Sequence, residues 1–439
     1  MLSRRSLLWG GGSAALAFSP CWPNDIRAAS VDKPLEKSSL SPADHQFLEE
    51  VENASFLYFW EQADPLTGLV KDRSTVNATG KGPPKKEIVA SIAATGFGLT
   101  ALCIGHKRGY VSLSNAGGRV LATLKFLSKN MPTHRGFFYH WANINTGERM
   151  WDSEVSSIDT AILLCGVLTC REHFRYPEIT RLANLVFNRV DWTWVAEDTS
   201  LLSHGWTPEI GFLPYRWDYY SELMIMYLLG LGSPTYPLAQ TAWNAWKRKT
   251  YEYAGMRYLG SYAPLFVHQY AQAWFDLRGM RDQHVDYFKN SMIATEVHRR
   301  FCLDLAAQFR DYSDDLWGIT ASDSQNGYVV WGGPPEVGPI DGTVVPSATG
   351  GSLPFLPEAT LRVLKNIKNR YAPRTWSRYG FINAFNPLKG WYDTDVIGID
   401  AGITMLMAEN LRTGFVWDTF MRSREAQRGL QRAGFHKYS

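Results

Sequence analysis

The stretch that decides the fold reads Glu222-Leu223-Met224-Ile225-Met226-Tyr227-Leu228-Leu229-Gly230-Leu231. Behind its leading carboxylate it has no polar face, and a helix that is apolar on all sides lies inside a protein. The run is also far shorter than the roughly 20 residues that cross a bilayer. It therefore predicts an interior helix with Glu222 at its start, directly after the aromatic sequence Trp217-Asp218-Tyr219-Tyr220.

Three more segments share this apolar character, and more highly charged segments lie between them. The apolar segments contain residues 92–99, 161–168 and 403–408, while residues 119–129 and 243–253 carry more charge. Buried helices that alternate with amphipathic ones indicate two concentric layers. The pattern predicts an all-α, six-hairpin α/α toroid with aromatic-rich loops and minor β-hairpins at one rim. A generic helical bundle or solenoid is the alternative, but no fixed-period repeat favours a solenoid.

Helical periodicity and end signals recur about twelve times along the chain. The predicted helices span residues 41–62, 88–107, 114–130, 154–174, 177–194, 219–231, 235–251, 264–278, 283–309, 354–370, 398–412 and 416–432. Strand patterns are few and confined to the loops.

The composition excludes some classes of partner. The 439 residues carry a formal net charge of +3, so no strong field attracts nucleic acid or an acidic membrane surface. The chain contains 17 Trp, 21 Tyr and 22 Phe, and many of them lie in Gly/Pro-rich connections. Packing alone does not account for aromatic residues in such connections, whereas sugar rings stack on them.

The first thirty residues have the pattern of a twin-arginine export signal. Arg4-Arg5 precede a short apolar stretch, and residues 27–30 offer a cleavage point. We therefore expect an export signal over residues 1–30, one catalytic domain over 31–439, no membrane span and a periplasmic or secreted monomer. Cys103, Cys165, Cys170 and Cys302 lie in apolar stretches and are expected to be buried free thiols. HExxH, Walker and GxGxxG motifs are absent, so neither a metal nor another cofactor is predicted.

Three predicted inner helices begin with a carboxylate: Asp159, Glu222 and Asp400. In a toroid these helix starts surround one pocket, and glycosidic hydrolysis needs an acid and a base on either side of the bond. Aromatic burial raises a carboxyl pKa, so Glu222 is the candidate acid. Asp400 is the candidate base, with Asp159 its competitor. Helix capping or internal ion pairing is the structural alternative for each.

The loops before the inner helices supply the candidate sugar-binding residues. Arg216 is placed to grip hydroxyls or to form a structural salt bridge, and His268 is either a ligand or a satisfied core residue. The full set of binding candidates is Trp217, Tyr220, Arg216, Trp206, Trp141, His140, His268, Tyr270, Trp391, Tyr392, Glu154 and Asp341.

The chain resembles a glucoamylase-like bacterial family that contains the β-1,2-glucanases and the glucan-processing region of cyclic β-1,2-glucan synthases. The resemblance lies in residues 153–161, 217–222, 227–235, 265–270, 317–323, 341–343 and 398–402, which extend over nearly all of the mature chain. It implies a six-hairpin α/α toroid and inverting hydrolysis of β-1,2-linked glucan, with Glu222 as acid and Asp400 as base. This chain has Ser221 where the family often has Asn, and Asp159 where it often has Glu. The family's older glucoamylase label keeps α-glucan open as a substrate.

Three functions fit these residues. The first is an exported glycoside hydrolase acting on β-glucan, with an oligo- or polysaccharide as its partner. The second is a polysaccharide lyase or epimerase on the same fold, with Tyr270 or His268 as base. The third is a noncatalytic glycan-binding protein, for which the aromatic loops suffice.

Overall fold

The structure, a computed structural model, describes residues 40–76, 88–261, 264–334 and 338–438. The predicted export signal lies outside these residues. The described part of the chain is mostly helical, with 47% of its residues in helices. The α-helices are α1 (Pro42–Glu61), α2 (Ile92–Arg108), α3 (Leu113–Lys129), α4 (Ser157–Phe174), α5 (Pro177–Asn188), α6 (Trp192–Ala196), α7 (Met224–Gly232), α8 (Ala242–Ala245), α9 (Tyr270–Trp274), α10 (Tyr287–Asp304), α11 (Pro346–Gly350), α12 (Pro357–Tyr371), α13 (Gly398–Thr413), α14 (Phe415–Phe420) and α15 (Arg424–Arg432).

The strands are short and pair antiparallel in the connections between helices. They are β1 (Arg73–Thr75), β2 (Val89–Ser91), β3 (Thr133–His134), β4 (Phe137–Phe138), β5 (Trp141–Asn143), β6 (Val155–Ser156), β7 (Gly205–Thr207), β8 (Gly211–Phe212), β9 (Thr250–Tyr253), β10 (Met256–Leu259), β11 (Met280–Arg281), β12 (Ser322–Ser324), β13 (Gly327–Val329), β14 (Trp376–Ser377), β15 (Gly380–Phe381), β16 (Phe385–Asn386), β17 (Trp391–Tyr392), β18 (Asp395–Ile397) and β19 (His436–Lys437). Strands are therefore more numerous than predicted, although they do lie in the loops, as expected.

Two kinds of helix alternate along much of the chain. Every residue of α7 is buried, and α2, α4 and α13 are buried along most of their length. In α3, α5 and α12, by contrast, only one face is buried. The predicted alternation of interior and amphipathic helices is thus present. Among the helices described, none is both long enough and apolar enough to span a membrane.

The buried helices pack against one another in a closed circuit. Contacts run from α2 to α4, from α4 to α7, from α7 to α9, from α9 to α13, and from α13 back to α2. Short strands lead directly into three of these helices: β2 into α2, β6 into α4 and β18 into α13. Because β18 pairs with β1, and β6 with β7, the starts of these helices are tied to neighbouring loops.

One predicted helix, over residues 235–251, is wrong. The structure has only the four-residue α8 there, followed by the β9–β10 hairpin. Residues Thr250-Tyr251-Glu252-Tyr253 alternate between exposed and half-buried, which is the two-residue period of a strand. Ala254 and Gly255 both have positive φ, the backbone of a tight hairpin turn. The four predicted free thiols are confirmed and are all buried.

Helices α2 and α4 approach closely enough for their backbones to touch. A Cβ atom on Gly166 would lie 2.2 Å from the carbonyl oxygen of Gly96, and one on Gly96 would lie 2.5 Å from that of Ile162. Backbone atoms cannot rotate away as a flexible side chain can. These two glycines therefore set the distance between the two helices.

We expect Gly166→Ala to destabilise the fold by about 1–3 kcal/mol, the usual cost of overpacking a core. The free energy of unfolding, measured by urea titration, tests this. Gly118→Ala is the matched control, because a Cβ there meets no atom within 4 Å and Gly118 is exposed on α3. Alanine at that position is expected to stabilise the helix by up to about 1 kcal/mol. Equal changes in the free energy of unfolding for the two substitutions would contradict the close contact between α2 and α4.

Candidate active site

A single cavity opens at the starts of several buried helices. Ser91 and Ala93 line it from the start of α2, and Tyr270 from α9. Ser347 lies there at the start of α11. Its polar and ionisable side chains include Asp72, His140, Asp159, Gln269, Asn383 and Asp400. Asp159 and Asp400, two of the three predicted catalytic carboxylates, therefore lie on the same cavity.

Asp400 occupies the third position of α13 and remains partly exposed. The Nδ2 amide of Asn383 donates to its Oδ2 at 2.6 Å. Asn383 is itself only 2% exposed. A carboxylate that accepts this bond and is still open to the cavity has the access that a base needs to bind a water molecule.

Asp159 occupies the equivalent third position of α4 but is held by more partners. Its backbone N–H donates to Ser156 Oγ at 3.2 Å, and that hydroxyl donates back to Asp159 Oδ2 at 2.5 Å. His140 lies between two carboxylates, with Nδ1 3.1 Å from Glu154 Oε1 and Nε2 3.5 Å from Asp159 Oδ2. Ser156 is thus the N-cap of α4, and the Asp159 carboxylate both holds the hydroxyl of that cap and lines the cavity.

Glu222 lies outside this lining. Helix α7 begins at Met224, later than predicted, and Glu222 falls in the preceding turn. Tyr220, Ser221, Glu222 and Leu223 are each at most 2% exposed, so the whole turn is buried. The expectation that all three carboxylates meet at one cavity therefore holds for Asp159 and Asp400 but not for Glu222.

The aromatic residues before Glu222 are packed inside the protein. The ring of Trp217 stacks on His204 with centroids 4.0 Å apart, and its Nε1 donates to Ser157 Oγ at 3.0 Å. That bond ties the approach to α7 to the start of α4. Tyr220 Oη lies 3.1 Å from His268 Nδ1. Burial, with a smaller contribution from His298, lowers the pKa of His268 to about 3, so its imidazole is neutral. His268 is the satisfied core residue of the two alternatives.

The remaining binding candidates divide between the cavity and the surrounding loops. Tyr270 and His140 line the cavity, and Trp141 stacks on His140 at 3.7 Å. Trp206 stacks on His134 at 3.9 Å, on the loop sheet that contains β7. Glu154 serves as the second partner of His140. Of these residues, His140, Trp141 and Glu154 precede α4, Trp206 lies on β7 before α7, and Tyr270 is the first residue of α9.

Arg216, Asp341, Trp391 and Tyr392 do not line the cavity. Arg216 forms an ion pair with Glu197, which is the structural role proposed as its alternative. Asp341 accepts from Thr343 and pairs with Lys389 at 2.6 Å, contacts that fix its loop. Tyr392 is covered by the guanidinium of Arg374, 3.8 Å from its ring centre. Their contacts in the structure are with the protein's own loops.

Several cavity residues were not predicted. Asn383 precedes the aromatic residues Phe385, Trp391 and Tyr392 in the sequence, but an asparagine gave no signal of its own there. Asp72, Gln269 and Phe266 also line the cavity. Gln269 Nε2 donates to Ala348 O and Ser352 Oγ, both at 2.8 Å. Gln269 and Phe266 lie in a stretch quoted for the family resemblance, as do Thr320, Ala321 and Ile399, whereas Asp72 had no local pattern around it.

Behind Asn383 lies a group of charged residues centred on Arg73. Its Nη1 donates to Asp323 Oδ2 at 2.6 Å and to Asp395 Oδ2 at 3.3 Å. Asp323, Asp393 and Asp395 each offer an oxygen within 4.8 Å of the others, a spacing that suits a cation, and the Arg73 guanidinium supplies positive charge there. Burial first, and then the charges of Asp323 and Asp395, raise the pKa of Asp393 to about 7.

This raised pKa predicts a pH-dependent stability. The pKa of Asp393 is higher in the folded state than its ordinary value of 3.8, so its stabilising contribution is present at low pH and is lost as pH rises through about 7. Asp393→Asn retains an acceptor for the Thr394 N–H and should raise Tm more at pH 8 than at pH 5. Calorimetry at both pH values tests this. Glu209→Gln is the control, because the hydrogen bond from Arg149 lowers the pKa of Glu209 from 4.5 to about 2, so Glu209 is ionised at both pH values and its replacement should change Tm equally at pH 5 and pH 8. An equal Tm change for Asp393→Asn at both pH values would contradict the prediction.

The chain is similar to known proteins over most of its length. Residues 214–424 match the family model described as "Putative glucoamylase". An exo-β-1,2-glucooligosaccharide sophorohydrolase (non-reducing end) of Parabacteroides distasonis is 26% identical over 428 residues. The alignment covers 89% of this chain but only 58% of that relative.

Solved structures are similar to this chain over most of its length as well. An endo-β-1,2-glucanase of Chitinophaga pinensis, in complex with sophorotriose and glucose, has a TM-score of 0.82 at 26% identity, with 92% of this chain and 99% of that chain covered. A glucoamylase-like protein of Bacteroides uniformis has a TM-score of 0.82 at 29% identity, with the same coverage. The resemblance seen in the sequence is confirmed, and the chain is a relative of the glucoamylase-like proteins that include the β-1,2-glucanases.

Proposed function

We propose that this protein is a glycoside hydrolase that cleaves β-glucan, with β-1,2-linked glucan as its substrate, by inversion at the anomeric carbon. The observation that carries the proposal is the cavity onto which Asp159 and Asp400 open from two different helices. The relatives that are named for β-1,2-glucan or its oligosaccharides support the linkage.

The roles follow from access and burial. Asp400 takes a proton from water as the water oxygen attacks the anomeric carbon, and the glycosidic oxygen leaves with a proton from the acid. A carboxylate on the open cavity with one described donor suits the base. Glu222 is buried, as a group that must hold its proton requires, and is assigned as the acid. Asp159, bonded to Ser156 and next to His140, forms the wall of the cavity at the start of α4.

The same proposal includes the architecture. The closed circuit of contacts through α2, α4, α7, α9 and α13 supports a six-hairpin α/α toroid with the active site at the starts of its inner helices. We infer a single catalytic domain over residues 31–439, preceded by a twin-arginine export signal over residues 1–30. On this interpretation the protein acts as a monomer in the periplasm or outside the cell.

Product analysis on four glucans tests the function. Linear β-1,2-glucan, laminarin, cellulose and starch are each incubated with the protein, and products are separated by chromatography. We expect release of oligosaccharides from β-1,2-glucan alone, and proton NMR of the first product should show the α-anomer. Cleavage of starch in preference would overturn the linkage, and a β-anomeric first product would overturn inversion.

The same incubations separate the other two functions. Tyr270 lines the cavity, which is the position that a lyase or epimerase base would need. An unsaturated product absorbing in the ultraviolet would support a lyase and contradict hydrolysis. Glucan binding without any product over long incubation would support a noncatalytic glycan-binding protein.

A further inference from the structure

We infer that Asn383 is a positioning residue for the base, and that it keeps Asp400 ionised and fixed in orientation. The inference rests on the proposed function, because it assigns a partner to the proposed base. The contact that carries it is the 2.6 Å hydrogen bond from Asn383 Nδ2 to Asp400 Oδ2. Asn383 is buried on a loop and lines the same cavity as Asp400.

The orientation of the Asn383 amide is fixed by its other bonds. The backbone N–H of Asp323 donates to Asn383 Oδ1 at 2.8 Å, so that oxygen is the acceptor and Nδ2 must face Asp400. The backbone N–H of Asn383 donates to Asp395 O at 2.9 Å. A flipped amide would bring two donors together at Asp323 and two acceptors together at Asp400.

Arg73 holds in place the two segments on which Asn383 depends. Its guanidinium bonds the carboxylates of Asp323 and Asp395, the residues whose backbones contact Asn383. The series Arg73, Asp323, Asn383 and Asp400 therefore connects β1 to the start of α13. A bond donated to a carboxylate favours its ionised form, and ionised Asp400 is the form that accepts a proton from water.

Other ionisable groups face the same cavity and must be considered in any pH experiment. They are Asp72, His140, Asp159, Tyr270 and Tyr328, and Arg73, Asp323, Asp393 and Asp395 lie behind Asn383. None of them is changed when Asn383 alone is replaced. A difference between wild type and an Asn383 variant is therefore assigned to position 383, and Asn383→Ala shows the part that comes from losing the amide donor without adding a charge.

Asn383→Asp is the most informative variant. It keeps an oxygen for the Asp323 N–H but replaces the donor facing Asp400 with a second carboxylate. We expect kcat to fall about 10- to 100-fold with KM within about threefold. The acidic limb of the kcat/KM profile should move up by at least about one pH unit, the size expected when a charge-assisted hydrogen bond is lost. Asn383→Ala should move it in the same direction by less.

Asn410→Ala is the matched control. Asn410 lies on α13, the helix that carries Asp400. Like Asn383 it is 2% exposed, and its side chain bonds backbone groups of Ala273 and Trp417. Its loss should lower Tm without moving the acidic limb. If Asn383→Asp moves the limb no more than Asn410→Ala does, or acts on KM alone, the inference is overturned.

A second measurement does not depend on catalysis. In protein labelled with 13C at aspartate carboxyls, the signal of Asp400 is identified by its loss in Asp400→Asn and is followed against pH. The pH at the midpoint of this titration of Asp400 should be about one pH unit higher in Asn383→Asp than in wild type. If the wild-type protein cleaves no glucan while this midpoint rises, the proposed function fails and the positioning inference stands. An unchanged midpoint overturns the inference.

Discussion

Asp400→Asn is expected to lower kcat on β-1,2-glucan by roughly 10²- to 10⁴-fold, the usual contribution of a general base. KM should change little, since asparagine has nearly the size of aspartate and the cavity keeps its shape. The prediction follows from the position of Asp400, at the third residue of α13 on the open cavity. Steady-state kinetics with purified wild type and variant provide the measurement.

Asp159→Asn is the comparison that decides which carboxylate is the base. The Asp159 carboxylate accepts from the hydroxyl of Ser156, the N-cap of α4, so its replacement should cost stability and a smaller part of kcat. Azide needs no base to attack a sugar, and it should restore turnover of Asp400→Ala while forming the glycosyl azide. If azide rescues Asp159→Ala and leaves Asp400→Ala inactive, the two roles are reversed.

Glu222→Gln is expected to abolish release of reducing ends, with kcat at least about 10²-fold lower, while glucan still binds. Glutamine preserves the shape of the side chain in the buried turn but cannot give a proton to the glycosidic oxygen. Reducing-end assays measure the loss, and calorimetric titration with oligosaccharide measures the binding. Unchanged turnover would refute the assignment.

Because Glu222 lies outside the cavity lining, its role needs a test that separates chemistry from packing. A dinitrophenyl β-glycoside of sophorose has a leaving group that departs without a proton. If Glu222 is the acid, Glu222→Gln should cleave this compound at close to the wild-type rate. An equal loss on both substrates, together with a lower Tm, would assign Glu222 to the structure of the turn before α7.

Local sequence patterns were sufficient to predict the interior helices. The apolar runs of α4, α7 and α13 and the carboxylates ahead of them are encoded within about ten consecutive residues, so periodicity and capping rules identified them. The same reasoning failed at residues 235–251. There, Trp243 and Trp246 are buried as in a helix, but the segment continues into a hairpin that is specified by its turn.

The supporting residues of the site could not be predicted in that way. Asn383 acquires its role from Asp400, 17 positions later, and from Asp323, 60 positions earlier. Arg73 contacts Asp395 across 322 positions. No periodicity within one segment contains such contacts, because they exist only after the helices have packed.

The pairing of β1 with β18 has a consequence for folding. Arg73 is opposite Ile397 in that ladder, so residues near the two ends of the chain must meet before Asp72, Asn383 and Asp400 share a cavity. Contacts between such distant positions carry a large loop-closure entropy and slow the folding of a domain. During synthesis, α1 to α12 emerge from the ribosome before the segment that carries Asp400. The active site is therefore complete only after α13 has been synthesised and has packed against α1 and α2.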